Sequence, residues 1–351
     1  MINISVLKRE INEYILSIAK DRSFTIFSNK SGILLKKTIL DIVNMDINYF
    51  KIADVDLFFK KGNKQDNDKE NSIRENILSK LHLLPEEYIN HKSYGTKWNL
   101  LKTKWLHTLN ELYKDPYDKI IVNKMAGRKY NYDFNVVYVL QNKANIINHS
   151  SSMIKNVKKV EFKYNGKSID KLPQFLQLTE NYGFIEKSYS EFYYNNYLQK
   201  HIELIDGLEL LDKDTYLKLV KGTNYNTNSF FMSLKRAEDN QTIKKQINII
   251  VNNSIKEYLE AYGSTINIHN VYNTLKTSQS DKVFILWNNN EFYIDKLDIS
   301  SNIVYKNIKN SNTIVLEDLD NNQEYHLLLR WKNHKGVLNP AWQISLKKIK
   351  K

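Results

Sequence analysis

Glu161-Phe162-Lys163 is the only acid-x-lysine triplet in a chain of 351 residues that carries 39 aspartates and glutamates. It sits in the run from Lys158 to Gly166, which is β-branched and aromatic and ends in Asn165-Gly166. That pattern predicts a strand. Side chains two apart on a strand share a face, so the Glu161 carboxylate stands beside the Lys163 ammonium while Phe162 points the other way. Asp133 stands at the head of a second such run, Asn131 to Leu140. If the two strands pair, a second carboxylate reaches the same spot. Two carboxylates and a lysine around one point suit a hard divalent cation and an attacking water.

This arrangement resembles the PD-(D/E)XK phosphodiesterase superfamily, whose best-known members are type II restriction endonucleases. The resemblance puts the first acid of the family on Asp133, the second on Glu161 and the lysine on Lys163. Tyr132 replaces the proline that gives the motif its first letter. The implied reaction is Mg²⁺-dependent hydrolysis of a phosphodiester in double-stranded DNA, leaving 5′-phosphates. Asp133, Glu161 and the Phe162 carbonyl would hold the metal, with Lys163 beside the attacking water. An acid from a preceding helix, here Glu111, would join the metal shell. Gln177, on a helix expected over Ser168 to Leu178, would be a polar helper. A homodimer cutting one strand per active site is implied as well.

The elements that must position these groups are predicted from periodicity. Apolar residues at helical spacing predict helices over Ile4–Ile18, Lys36–Val43, Glu75–Leu84 and Tyr94–Tyr113, the last with Trp98, Leu101, Trp105, Leu109 and Leu112 on one face. Residues 60–72 are polar throughout and predict a mobile loop. Lys119–Met125 and Tyr132–Leu140 form an expected hairpin around Ala126-Gly127-Arg128-Lys129, and the acid-lysine strand follows the polar stretch 141–152. Helices are expected over Tyr189–Ile205, Asp214–Lys221, Phe230–Arg236 and Thr242–Ala261. From Lys282 onward the runs are short and strand-like, with a turn at Asn288-Asn289-Asn290.

The expected fold class is α/β (α+β), with a restriction-endonuclease-like core built on a central mixed sheet flanked by helices. Three segments are expected: a mostly helical region at 1–93, the nuclease core with a helical insertion at 94–275, and a β-rich region at 276–351.

A formal charge of +13 favours a polyanionic partner, because neutralising phosphates releases counterions and steers encounter. Lys155, Lys158 and Lys159 before the acid-lysine motif, and Arg330, Lys332, Asn333 and Lys335 near the end, are candidate nucleic-acid contacts. The absence of cysteine removes disulfides, thiolate metal sites and thiol nucleophiles. No Walker loop, dinucleotide fingerprint or serine elbow occurs, so no nucleotide cofactor is expected. No run approaches a membrane span, and the chain start has charges where a signal peptide needs an apolar core. An intracellular, cytoplasmic location follows as an expectation. Two other readings fit the same residues: a less selective or structure-specific nuclease of this fold, acting in repair or on branched DNA or RNA, and a basic DNA-binding protein without catalysis.

Overall fold

Strand pairing and helix packing come from a computed structural model, which describes residues 50–60, 67–125, 131–141, 152–221, 228–334 and 337–349. The expected helices at 4–18 and 36–43, the turn at 126–129 and Lys335 lie outside these residues. The protein is mixed α and β, with two five-stranded sheets and several helices. It divides into two compact units, residues 1–165 with 287–292, and residues 166–286 with 293–351. These bounds cut through the expected segment 94–275.

In the first unit, helix α1 (Asn67–Lys80) begins well inside the stretch expected to be a mobile loop. Its apolar positions Ile73 and Ile77, with Leu81 in the 3-10 turn that follows, recur every four residues, which a polar first turn hides from a composition-based reading. Arg74, one per cent exposed, is held by Glu70 at 2.9 Å and by the Leu57 carbonyl at 3.1 Å, and its guanidinium lies 3.7 Å from the centre of the Tyr164 ring. Helix α2 (Gly95–Leu112) buries Trp98, Leu101, Trp105 and Leu109, the stripe expected from its spacing. Its last turn accepts a 2.5 Å hydrogen bond from the Tyr138 hydroxyl at the Leu109 carbonyl.

Strands β1 (Lys119–Lys124), β2 (Phe134–Gln141) and β3 (Ser152–Tyr164) follow. They pair antiparallel in the order β1-β2-β3, with Val122 opposite Val136 and Phe134 opposite Val160. The even-numbered side chains of β2, Phe134, Val136 and Tyr138, are fully buried, and Trp105 of α2 packs edge-on to Phe134. Asn165, with φ 63°, ends β3 in a left-handed turn that asparagine tolerates. No helix follows over Ser168–Leu178. That stretch is a short 3-10 turn, Ile169–Lys171, and a strand, β4 (Leu176–Leu178). Pro173 breaks the helical reading, and Leu176, Gln177 and Leu178 pair with a distant strand.

The second unit has helices α3 (Tyr189–Tyr193), α4 (Gln199–Ile202), α5 (Lys213–Lys221), α6 (Ser229–Ala237), α7 (Gln241–Tyr262) and α8 (Ile268–Gln279), with a π-helical turn, Tyr194–Leu198, joining the first two. Helix α8 has no counterpart among the expected elements. Four of these helices start on a side-chain cap that binds the first turn, from Ser188, Asn228, Asn240 and Asn267. Strands β5 (Lys282–Asn288) and β6 (Glu291–Asp295) complete the first sheet, in the order β1-β2-β3-β5-β6. Asn289 and Asn290 between them both have positive φ, as a two-residue hairpin turn requires. Strands β7 (Ile303–Lys309), β8 (Thr313–Asp318), β9 (Gln323–His334) and β10 (Val337–Lys348) form the second sheet with β4, in the order β4-β10-β9-β8-β7. Its inner face, with Leu316, Leu327, Leu329 and Ile344 fully buried, packs with Tyr258 and Leu259 of α7 into one apolar core.

Candidate active site

The register of β2 on β3 brings the three sequence-selected groups together. Asn135 is opposite Lys159, and the Asp133 amide donates to the Val160 carbonyl at 2.9 Å, so Asp133 sits beside the Glu161 end of the facing strand. The Phe162 amide donates back to Asp133 Oδ2 at 2.8 Å. Glu161 is buried, at eight per cent exposure, and its Oε1 lies 2.6 Å from Lys163 Nζ. Phe162 faces the other way, against Phe58.

A fourth charged group acts on this corner and was not singled out from the sequence. Glu75 of α1 interacts electrostatically with both Asp133 and Lys163, and its Oε2 is 3.1 Å from Lys124 Nζ on β1. The helix expected over Glu75–Leu84 contains it, but nothing local in the sequence turns that helix toward Asp133 and Lys163. The acid expected in that role, Glu111, is exposed at the last turn of α2 and paired with Lys114, whose hydrogen bond holds its carboxyl below the usual range. None of the groups acting on Asp133 or Lys163 is Glu111.

The electrostatics are those of a corner short of positive charge. Burial pushes the Asp133 carboxyl up to about 6; Glu75 and Glu161 push in the same direction, and Lys163 and the Phe162 amide only partly offset them. For Lys163 burial acts downward, yet the carboxylates of Glu161, Asp133 and Glu75 outweigh it and the ammonium is held above its usual range. Lys163 is therefore a cation at neutral pH.

Neither a family model, nor a curated protein, nor a solved structure is detectably similar to this chain. What can be said of its chemistry comes from its own residues.

Among the described residues, no group of three or more histidines, aspartates or glutamates gathers tightly enough to form a ready-made metal cage. Magnesium does not need one. It is held by one or two carboxylates and keeps waters that substrate phosphate replaces. Asp133 and Glu161 fit that role: Glu161 is buried, Asp133 is half-buried with its carboxyl raised chiefly by burial, and a divalent cation beside them would favour the ionised form of both.

Other selected residues are dispersed. Gln177 lies in the second unit, exposed on β4 opposite Gln343, and not on a helix following the site. The three lysines that precede the motif on β3 do not form one patch. Lys159 shares the face of Asp133 and Glu161, Lys158 pairs with Val136 on the opposite face, and Lys155 is the extra residue of a bulge between Asn156 and Ile154. Arg330 and Lys332 alternate along β9 in the second unit with Asn333 next in line. Trp342 is buried and donates to Glu180 Oε1 at 3.3 Å, whereas Trp331 is half-buried and donates to the Tyr189 hydroxyl at 2.9 Å. Among the described residues, no helix is long and apolar enough to cross a membrane.

Proposed function

We propose that the protein is a metal-dependent endonuclease that hydrolyses phosphodiester bonds of double-stranded DNA, leaving 5′-phosphates, and that its first unit is built as a restriction-endonuclease-like core. The observation that carries this reading is the meeting of Asp133, Glu161 and Lys163 at one corner of the β2–β3 pair, with the Phe162 amide on Asp133 Oδ2 at 2.8 Å and Lys163 Nζ 2.6 Å from Glu161 Oε1; the Asp133 carboxyl, pushed up to about 6, keeps capacity for a cation. The antiparallel β1-β2-β3 order behind a long helix and the net charge of +13 support it further.

In this reading Asp133 and Glu161 hold Mg²⁺, which would supply Lewis-acid stabilisation of the phosphate oxygens. Lys163, fixed by Glu161 at 2.6 Å, orients the attacking water and favours its deprotonated form. Glu161 and Asp133 keep Lys163 protonated, and Glu75 adds to their effect. Lys159, on the same face, meets the DNA backbone beside the scissile bond.

The test is incubation of purified protein with long duplex DNA and Mg²⁺. Discrete fragments with 5′-phosphate ends are expected, and their junction sequences identify the site read. A continuous smear points to a less selective nuclease of the same chemistry. Uncut DNA that is nevertheless retained by the protein leaves a basic binding protein and ends the catalytic reading.

A further inference from the structure

The second unit contains a cavity of about 220 Å³ whose lining is divided by depth. Its floor is apolar and buried, from Leu234 of α6, Val251 and Ile255 of α7, and Leu329 of β9, with the indole of Trp331 beside them. One polar side chain joins this floor. His201 is two per cent exposed, its Nδ1 lies 2.8 Å from the Tyr193 hydroxyl, and its Nε2 has no partner. The rim is the reverse, with Lys235, Arg330, Asn248 and Asn252 all exposed to solvent. Asn248 and Asn252 are four apart on α7, so their amides present donors and acceptors from one side of the helix. Glu238 is the one acid among the lining residues, against the two cations Lys235 and Arg330.

This division constrains the ligand. The volume is below the range of about 300–1,000 Å³ usual for drug-sized molecules, so the occupant has one or two rings. An apolar floor with an indole receives a flat face, which stacks on aromatic surfaces irrespective of its substituents. Side-chain amides at the edge of such a face are the groups that read the donor and acceptor pattern of a base. Lys235 and Arg330 at the mouth suit a phosphate held outside the cavity. The hydroxyl of Tyr193 has one proton, and donating it to His201 Nδ1 leaves Nε2–H as a donor at the cavity floor for a ring carbonyl.

From these observations we propose that the cavity binds a single nucleotide, base inward against Trp331 and phosphate on Lys235 and Arg330. The shared chemistry has two sources, a free nucleoside monophosphate or a nucleotide turned out of a DNA strand. None of its lining residues belongs to the carboxylate corner.

Calorimetric titration of the full chain with each of the four 2′-deoxynucleoside 5′-monophosphates tests the first source. At least one is expected to bind saturably, Arg330→Glu to weaken it by about tenfold or more, and Asn252→Leu to flatten the preference among bases. Both residues are exposed, so these variants keep the fold. A duplex with 2-aminopurine at single positions tests the second source, through a protein-induced change in emission that Arg330→Glu removes. A response in the duplex alone assigns the extruded nucleotide; a response to monophosphates alone assigns the free ligand. Asp133→Asn is expected to leave either response unchanged, which separates this site from the proposed cleavage centre. Failure of both probes, or binding by Arg330→Glu and Asn252→Leu equal to the unaltered protein, overturns the proposal.

Discussion

Asp133 and Asp318 are both carboxylates withdrawn from bulk water, one in each unit, and their titration is displaced in opposite directions. Asp318, at the end of β8, is fully buried, and burial alone would raise its pKa. It is instead held below the usual range, because Ser300 Oγ donates at 2.7 Å, the Asn321 amide at 3.1 Å, and the side chains of Asn321 and Gln323 at 3.0 and 3.1 Å. Asp133 has one such donor, the Phe162 amide, and two nearby acids, and it is pushed up to about 6. The comparison separates a carboxylate that ties a loop to a strand from one left with unused capacity. A buried acid with all its hydrogen bonds stabilises the fold; one without them is available to a cation.

The largest effects expected from this contrast are on catalysis. Asp133→Asn, Glu161→Gln and Lys163→Ala should each lower DNA cleavage by about 10²–10⁴-fold, the usual contribution of a positioned acid-base or metal-binding group, with DNA binding in Ca²⁺ retained. Cleavage at the unaltered rate by any of the three removes that residue from the site. Asp318→Ala should leave the chemistry of the site intact and act on stability, lowering unfolding free energy in denaturant by about 2–4 kcal/mol because its donors lose their acceptor.

The two acids should also show opposite pH dependence. The folded-state pKa of Asp133 lies above its unfolded value, so the proton is bound more tightly in the native state and stability falls as pH rises from about 4 through about 6. Asp133→Asn removes that fall, and the variant should gain about 1–2 kcal/mol relative to the unaltered protein at pH 8 and nothing near pH 4, allowing for the partial exposure of the residue. Asp318 has the opposite sign. Its contribution is present above the unfolded pKa and is lost as pH drops through the lowered folded value. Equal slopes for the Asp133→Asn and Asp318→Asn proteins between pH 4 and pH 7 would break the contrast.

A smaller effect sharpens it. Glu75→Gln withdraws one negative charge from Asp133 and Lys163, so the acid limb of the cleavage profile should move to lower pH while the rate falls by about tenfold. Glu111→Gln, on its exposed helix end, should do neither.

The sequence carried most of this corner because a strand has period two. Once β2 and β3 are recognised, Glu161 beside Lys163 and Asp133 near both follow from alternation and antiparallel pairing. Helix α2 was legible for a similar reason, its tryptophans and leucines recurring at helical spacing. Glu75 was not: a helix was expected from that residue onward, but nothing local relates it to the sheet. The first two turns of α1, Asn67 to Arg74, hold a single apolar residue, Ile73, and are supported instead by local pairs such as Glu70 with Arg74. Nor does anything local in the sequence bring Lys124 to Glu75. Residues 168–178 show the reverse error: the family resemblance implied a helix, and pairing of Leu176–Leu178 with Trp342–Ile344, more than 160 residues away, decided for a strand. Such long-range pairing leaves no periodic trace. The lysines before the motif failed as a patch through a single bulge at Lys155 and the ordinary alternation of a strand.

The claim on which the rest depends is that the Asp133 corner lacks a cation, and it is tested most directly by calorimetric titration with Ca²⁺ at pH 6 in buffers of different ionisation enthalpy. The account predicts saturable binding accompanied by proton release, since the carboxyl must ionise to take the ion, and loss of both in Asp133→Asn. Binding with the same affinity and no proton release in both proteins, or no binding by either, would contradict it.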